Sequence, residues 1–188
     1  IKYYVFAFLL ALLITEIYSY LIWFEIVAPP AHRGGNVLVN NPIPFMTHVS
    51  YNPILAFAIY LVAHKVFINQ ALSKTKLYLY SFFLLIMTIN MFITGGRAGQ
   101  VMFFAMLAIL IFQYYNAQKI KSLIVILFLL PSIFFVAYQS SDLFKERVDE
   151  AINSTIAYQD YKSSSVGQRI IFALNSWEII KKNVLIGV

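Results

Sequence analysis

The stretch that decides the fold is residues 77–112, LYLYSFFLLIMTINMFITGGRAGQVMFFAMLAILIF. Two apolar runs flank a short polar link, TGGRAGQ, at residues 94–100. Each run approaches the roughly 20 residues an α-helix needs to cross a bilayer, so the link reads as a turn between two membrane spans. A permanent cation, Arg97, stands at the tip of that turn. The question it raises is which side of the membrane it faces and what it holds there.

Working outward, the rest of the chain follows the same pattern. Of the 188 residues, 61% are hydrophobic and 12% charged. Soluble domains average about 25% charged and about 45–50% apolar, so this is the composition of a membrane protein. The expected fold class is all-α, a polytopic membrane helix bundle with about five spans, near 3–27, 45–68, 77–94, 100–117 and 122–140. The linker APPAHRGGNVLVNNPIP reads as loop from its Pro, Gly and Asn content. Pro53 is either a first-turn proline or a kink, and Pro131 is expected to kink the fifth span. The first span is interrupted only by Glu16 and Glu25. With no cysteine, disulfides and Cys-based metal sites are excluded.

From residue 141 the character changes. This last quarter carries more than half of the charged residues. Phe144, Val148, Ile152 and Ile156 form one apolar stripe at helical spacing, and Val166, Ile170, Leu174 and Trp177 form another. Two amphipathic helices outside the bilayer are expected, with Ser164 or Ser165 capping the second. The domain expectation is thus a transmembrane bundle over 1–140 and the start of a large extracytoplasmic loop over 141–188. The chain begins with Ile1 and stops inside the apolar run NVLIGV, and is expected to be part of a longer one.

Charge sets the orientation. The net charge of +6 would also suit nucleic acid, but its distribution fits membrane orientation. With the N-terminus inside, the inner segments carry Lys2, Lys65, Lys74, Lys76, Lys119 and Lys121 and no acid, as the positive-inside rule requires. TGGRAGQ and the charged tail then face outward. Arg97 has two readings: an interfacial anchor with a snorkelling stem, or an anion clamp. In the second, Gly95, Gly96 and Gly99 let a ligand or another backbone approach closely, and the next helix, starting near Ala98 to Gln100, aims its N-terminal N–H groups at the same space. Guanidinium plus helix N-terminus suits phosphate or diphosphate. Arg169, near the start of the second tail helix, is the companion candidate, although alone it reads as a solvated arginine.

The small-residue/Arg/Gly turn, the second arginine about 70 residues later, and the NSWEIIKKNVLIGV stretch together resemble the O-antigen ligase/polymerase family of bacterial inner-membrane glycosyltransferases. The resemblance extends over about residues 44–188. The family often has Ser immediately before the first arginine, where this chain has Gly96. The resemblance implies transfer of a glycan from a polyprenyl diphosphate carrier, outside the inner membrane, to a sugar hydroxyl of lipid A–core or of another lipid-linked glycan. It implies catalytic roles for Arg97 and Arg169 at the diphosphate. It also implies a basic histidine further along the loop, beyond Val188. Fixed arginines stabilise charge that grows on a leaving diphosphate and can replace a divalent metal. The sequence offers no metal-ligand cluster, and no cofactor is expected. Asp142, Glu146, Asp149 and Glu150 read as a solvated helical face.

Other residues have paired readings. His48, at the mouth of the second span, is a candidate substrate contact or a hydrogen-bonded interfacial histidine. His32 and Arg33 either add positive potential or belong to a solvated loop. Gln100 either orients Arg97 and contacts phosphate or is a plain first-turn polar residue. Tyr158, Tyr161 and Trp177 are candidate sugar-stacking rings. Asn90 reads as interhelical hydrogen-bond glue. Glu16 either pairs with a helix outside this segment or belongs to a proton or substrate path. The rival functional class is a transporter or flippase for an anionic or lipid-linked substrate, drawing on Glu16, Pro131 and the outward arginine.

Overall fold

The computed structural model describes residues 2–28, 41–43, 45–68, 72–156 and 165–182. Seven helices and no strand occur among them: α1 (Lys2–Trp23), α2 (His48–Phe67), α3 (Lys74–Ile93), α4 (Arg97–Tyr114), α5 (Lys119–Ser140), α6 (Asp142–Ile156) and α7 (Ser165–Lys182). The first five are long and apolar enough to cross a membrane. His32, Arg33, Tyr158, Tyr161 and Ser164 lie outside the described residues.

The chain divides into two compact units, Ile1–Phe144 and Lys145–Val188. In the first, α2 is the central element. It packs most extensively on α4 and next on α3, while α5 packs on α4 and α1 on α3. Tyr51, Leu55, Ala56, Ala58 and Val62 of α2 are buried, against Met87 and Met91 of α3 and Phe103 of α4. The remaining faces of α1, α3 and α5 are studded with exposed apolar residues such as Ile14, Phe82, Leu127 and Phe135. Helices apolar all round, with little of that surface covered by protein, are what a lipid solvent calls for. Aromatic residues stand exposed at both ends of the bundle, Tyr3, Tyr4 and Tyr78 at one and Trp23, Phe24 and Phe45 at the other, as interfacial belts do.

Helix ends differ from the sequence expectation in informative ways. The first helix stops at Trp23 rather than running to residue 27. Glu25 adopts a left-handed conformation (φ 59°), its N–H bonds the Ile22 carbonyl (2.9 Å), and Ile26 N–H bonds the Leu21 carbonyl (2.9 Å). This pair of bonds is a Schellman closure, here with glutamate where glycine is usual. Pro53 lies in the second turn of α2, not the first, and Pro131 lies inside α5. The fourth helix begins at Arg97 itself.

Phe144 explains why the first unit extends into α6. Ser141 Oγ accepts from Phe144 N–H (3.2 Å), capping α6, and donates to the Phe92 carbonyl at the end of α3 (2.8 Å). The Phe144 ring meets Phe92 and Phe134 edge-on at 5.3 and 5.4 Å between centroids, and is 2% exposed. In the second unit, Ile152, Ile156, Leu174 and Trp177 of the two apolar stripes are exposed. Arg147 pairs with Glu150 at 3.0 Å, and Lys181 stands over the Trp177 ring at 5.5 Å.

Candidate functional site

The segment TGGRAGQ joins α3 to α4 at the end of the bundle where α1 finishes and α2 begins. Its geometry is fixed mainly by one residue of α2, Asn52, which is fully buried. Asn52 Nδ2 donates to the Thr94 carbonyl (3.3 Å). Thr94 Oγ1 shares its hydrogen between Asn52 Oδ1 (3.2 Å) and the Asn90 carbonyl (2.8 Å). Gln100, also buried, reaches back to the same Thr94 carbonyl with Nε2 (3.4 Å). Gly95 N–H donates to Asn41 Oδ1 (2.9 Å), tying the turn to the segment before α2. A non-helical link at a membrane-protein helix junction needs such partners because lipid supplies none for its peptide groups.

The glycines have a structural cause. A Cβ added at Gly96 would lie 2.5–2.7 Å from Asn52 Cγ, Nδ2 and Cβ. One added at Gly99 would lie 2.3 Å from Asn52 Cβ and 2.4 Å from the Asn52 carbonyl carbon. Of the two approaches that glycine permits here, a ligand or another backbone, it is the α2 backbone that occupies the space at Gly99. The Gln100 amide likewise engages the Thr94 carbonyl of the link that carries Arg97.

Arg97 is the first residue of α4 and is partly buried. Gly96 is the N-cap, and among the described residues no side-chain cap hydrogen bond is made there. The structure therefore brings a guanidinium and a helix N-terminus to one point, an arrangement suited to an oxyanion. His48 opens α2 at the same end of the bundle. Arg169 lies in the second turn of α7, in the other unit, and is exposed.

Below the turn a second layer of polar residues runs into the bundle. Tyr51 Oη donates to Asn90 Oδ1 (2.9 Å), Asn90 Nδ2 donates to Ser19 Oγ (2.9 Å), and Ser19 Oγ donates to the Pro42 carbonyl (2.5 Å). Asn90 thus bridges α1, α2 and α3, the interhelical role its sequence setting suggested. Tyr20 Oη donates to the Ile86 carbonyl (2.7 Å). Glu16 is completely buried within this unit, with neither carboxylate oxygen hydrogen-bonded. Its burial comes from residues of this segment. Asn52, Thr94, Tyr51 and Ser19 were not singled out from sequence. Their signal was a polar residue inside an apolar run, one turn from another: Thr94 follows Asn90 by four positions, and Asn52 adjoins Tyr51.

At the opposite end of the bundle the helix termini carry lysines: Lys65 in the last turn of α2, Lys74 and Lys76 at the start of α3, and Lys119 and Lys121 at the start of α5. Among the described residues no Asp or Glu occurs there. Arg97 is therefore at the end away from the lysines.

These features define a multi-pass helical membrane protein with an arginine displayed on a rigid interhelical turn. A sequence model described as O-antigen ligase matches residues 82–188, more than half of the chain, and the match takes in both Arg97 and Arg169. The protein belongs to the O-antigen ligase family, which gives it a glycosyltransferase-type role in surface polysaccharide synthesis. No curated protein and no solved structure matches the chain.

Proposed function

We propose that the protein transfers a glycan from a polyprenyl diphosphate carrier to a sugar hydroxyl at the outer face of the bacterial inner membrane, with Arg97 holding the leaving diphosphate. The observation that carries this reading is the placement of Arg97. It is the first residue of α4, on a turn held by hydrogen bonds among Asn52, Thr94 and Asn41, at the end of the bundle away from the lysines. The positive-inside rule makes the lysine end cytoplasmic and the Arg97 end external.

In the reaction the anomeric C–O bond to the diphosphate breaks, the acceptor oxygen bonds the anomeric carbon, and the acceptor's proton departs to a base. Negative charge accumulates on the diphosphate as the bond lengthens. A guanidinium already in position binds that state more strongly than the ground state, and the N–H groups of α4 add to it. The locked turn matters because reorganisation during the reaction would consume the benefit. The family resemblance also implicates Arg169 in the transfer and implies a histidine as the base. The acceptor is lipid A–core or a second lipid-linked glycan; His48 is proposed to contact one of the two substrates.

The test uses the full-length protein in cells lacking their own copy. Arg97→Ala and Arg169→Ala are each expected to abolish transfer of long glycan chains while membrane insertion is unchanged. Near-normal surface polysaccharide in both variants would sink the proposal.

A further inference from the structure

A groove of about 460 Å³ lies on the flank of the first unit, near its lysine end. Leu9, Leu10 and Leu13 of α1 and Tyr80 and Phe83 of α3 line it, and Lys65 of α2 is the one charged lining residue among the described residues. The volume is within the roughly 300–1,000 Å³ range of small-ligand sites. The Lys65 ammonium is held 5.0 Å from the centre of the Tyr80 ring, which fixes the cation beside the apolar trough. The surroundings reinforce its sign. Lys74, Lys76, Lys119 and Lys121 start α3 and α5 at this same end, without an acid among the described residues.

An occupant that satisfies these walls has a long apolar part and one negative charge at its end. We propose that the groove binds an anionic membrane phospholipid, one acyl chain lying between α1 and α3 and the phosphate meeting Lys65. A free phosphate would leave the trough uncovered. A lipid of zero net charge would cover the trough and gain less from the lysine. Basic recesses between membrane helices suit acidic head groups for this reason. The inference rests on the groove and its charge and is independent of the Arg97 reading.

Native mass spectrometry of the full-length protein in detergent tests it, with phosphatidylglycerol and phosphatidylcholine of identical chains titrated separately and inorganic phosphate as a third arm. Phosphatidylglycerol is expected to be retained in preference to phosphatidylcholine, and phosphate alone not at all. Lys65→Gln is expected to lower phosphatidylglycerol affinity about fivefold, the equivalent of about 1 kcal/mol for one surface lysine, and to leave phosphatidylcholine unchanged. Leu10→Trp, which fills the trough with Lys65 intact, is expected to weaken phosphatidylglycerol binding as well. Lys65 and Leu10 are exposed, so neither change disturbs the core. Equal retention of the two lipids by the unaltered protein would overturn the proposal. So would phosphatidylglycerol affinity left unchanged by either substitution, which would assign the preference to the lysines collectively. Absence of any lipid adduct, as when another segment of the full chain fills the groove, would also overturn it.

Discussion

Gly96 and Gly99 both abut Asn52, yet the structure predicts that they respond differently to the same second change. Alanine at either position places a methyl group 2.3–2.8 Å from Asn52 atoms, where ordinary contacts begin about 1 Å further out. Overpacking of this kind costs about 1–3 kcal/mol when neighbours must shift. At Gly96 the three colliding atoms, Cβ, Cγ and Nδ2, all belong to the Asn52 side chain. At Gly99 two of the three, the carbonyl carbon at 2.4 Å and Cα at 2.8 Å, belong to its backbone. Asn52→Gly therefore removes the obstacle for Gly96→Ala but leaves the backbone contacts at 2.4 and 2.8 Å for Gly99→Ala. By itself Asn52→Gly loses the two bonds to Thr94, about 0.5–1.5 kcal/mol each, plus about 0.5–1 kcal/mol for glycine inside a helix. The assay is reversible unfolding in SDS followed by far-ultraviolet circular dichroism on the two double-mutant cycles. The Gly96→Ala cycle is expected to show favourable coupling of about 1–2 kcal/mol, because the clash cost vanishes in the double variant. The Gly99→Ala cycle is expected to be additive within about 0.5 kcal/mol. Equal coupling in both cycles, or a neutral Gly99→Ala, would refute the packing argument.

Asn90→Leu strands the Tyr51 hydroxyl and unties Ser19, and is expected to cost about 1–3 kcal/mol in the same SDS assay; Tyr51→Phe, which removes the stranded hydroxyl, should recover part of that loss. Glu16→Gln is expected to be at least as stable as the unaltered protein, since a buried carboxyl with no hydrogen bond is costly at membrane depth; a loss above about 1 kcal/mol would show that a partner exists. Phe144→Ala is expected to destabilise the first unit by about 3–5 kcal/mol through the cavity left against Phe92 and Phe134, whereas an unchanged unfolding profile would mean that α6 is not anchored there.

The spans were legible because lipid imposes length and apolarity on each one, and both can be counted along a sequence. The helix ends were less so. α1 ends at Trp23, closed by a left-handed Glu25, a conformation that glutamate rarely supplies and that nothing in the local sequence marks. The basic character of one bundle end was readable because lysines fall at helix termini whose alternation is set by the turns. The reason for the glycines was not readable. TGGRAGQ told that something approaches closely, but Asn52 comes from a helix more than 40 positions earlier, and only packing identifies it. The same holds for Glu16: its position in a span announced a burial problem, while the choice between an outer partner and an inner site depended on which way α1 is rotated in the bundle.

The account turns on the geometry of Arg97, not merely its charge. Arg97→Lys keeps the cation and loses the planar, two-pronged contact with phosphate oxygens. The decisive measurement is the rate of glycan transfer by purified full-length protein from a polyprenyl diphosphate-linked donor to its acceptor, read on a gel under saturating donor. A fall of about 10²-fold or more for Arg97→Lys, the scale seen when a fixed transition-state donor is removed, is the predicted result. A rate within about threefold of the unaltered protein would reduce Arg97 to an electrostatic anchor, and the proposed diphosphate site with it.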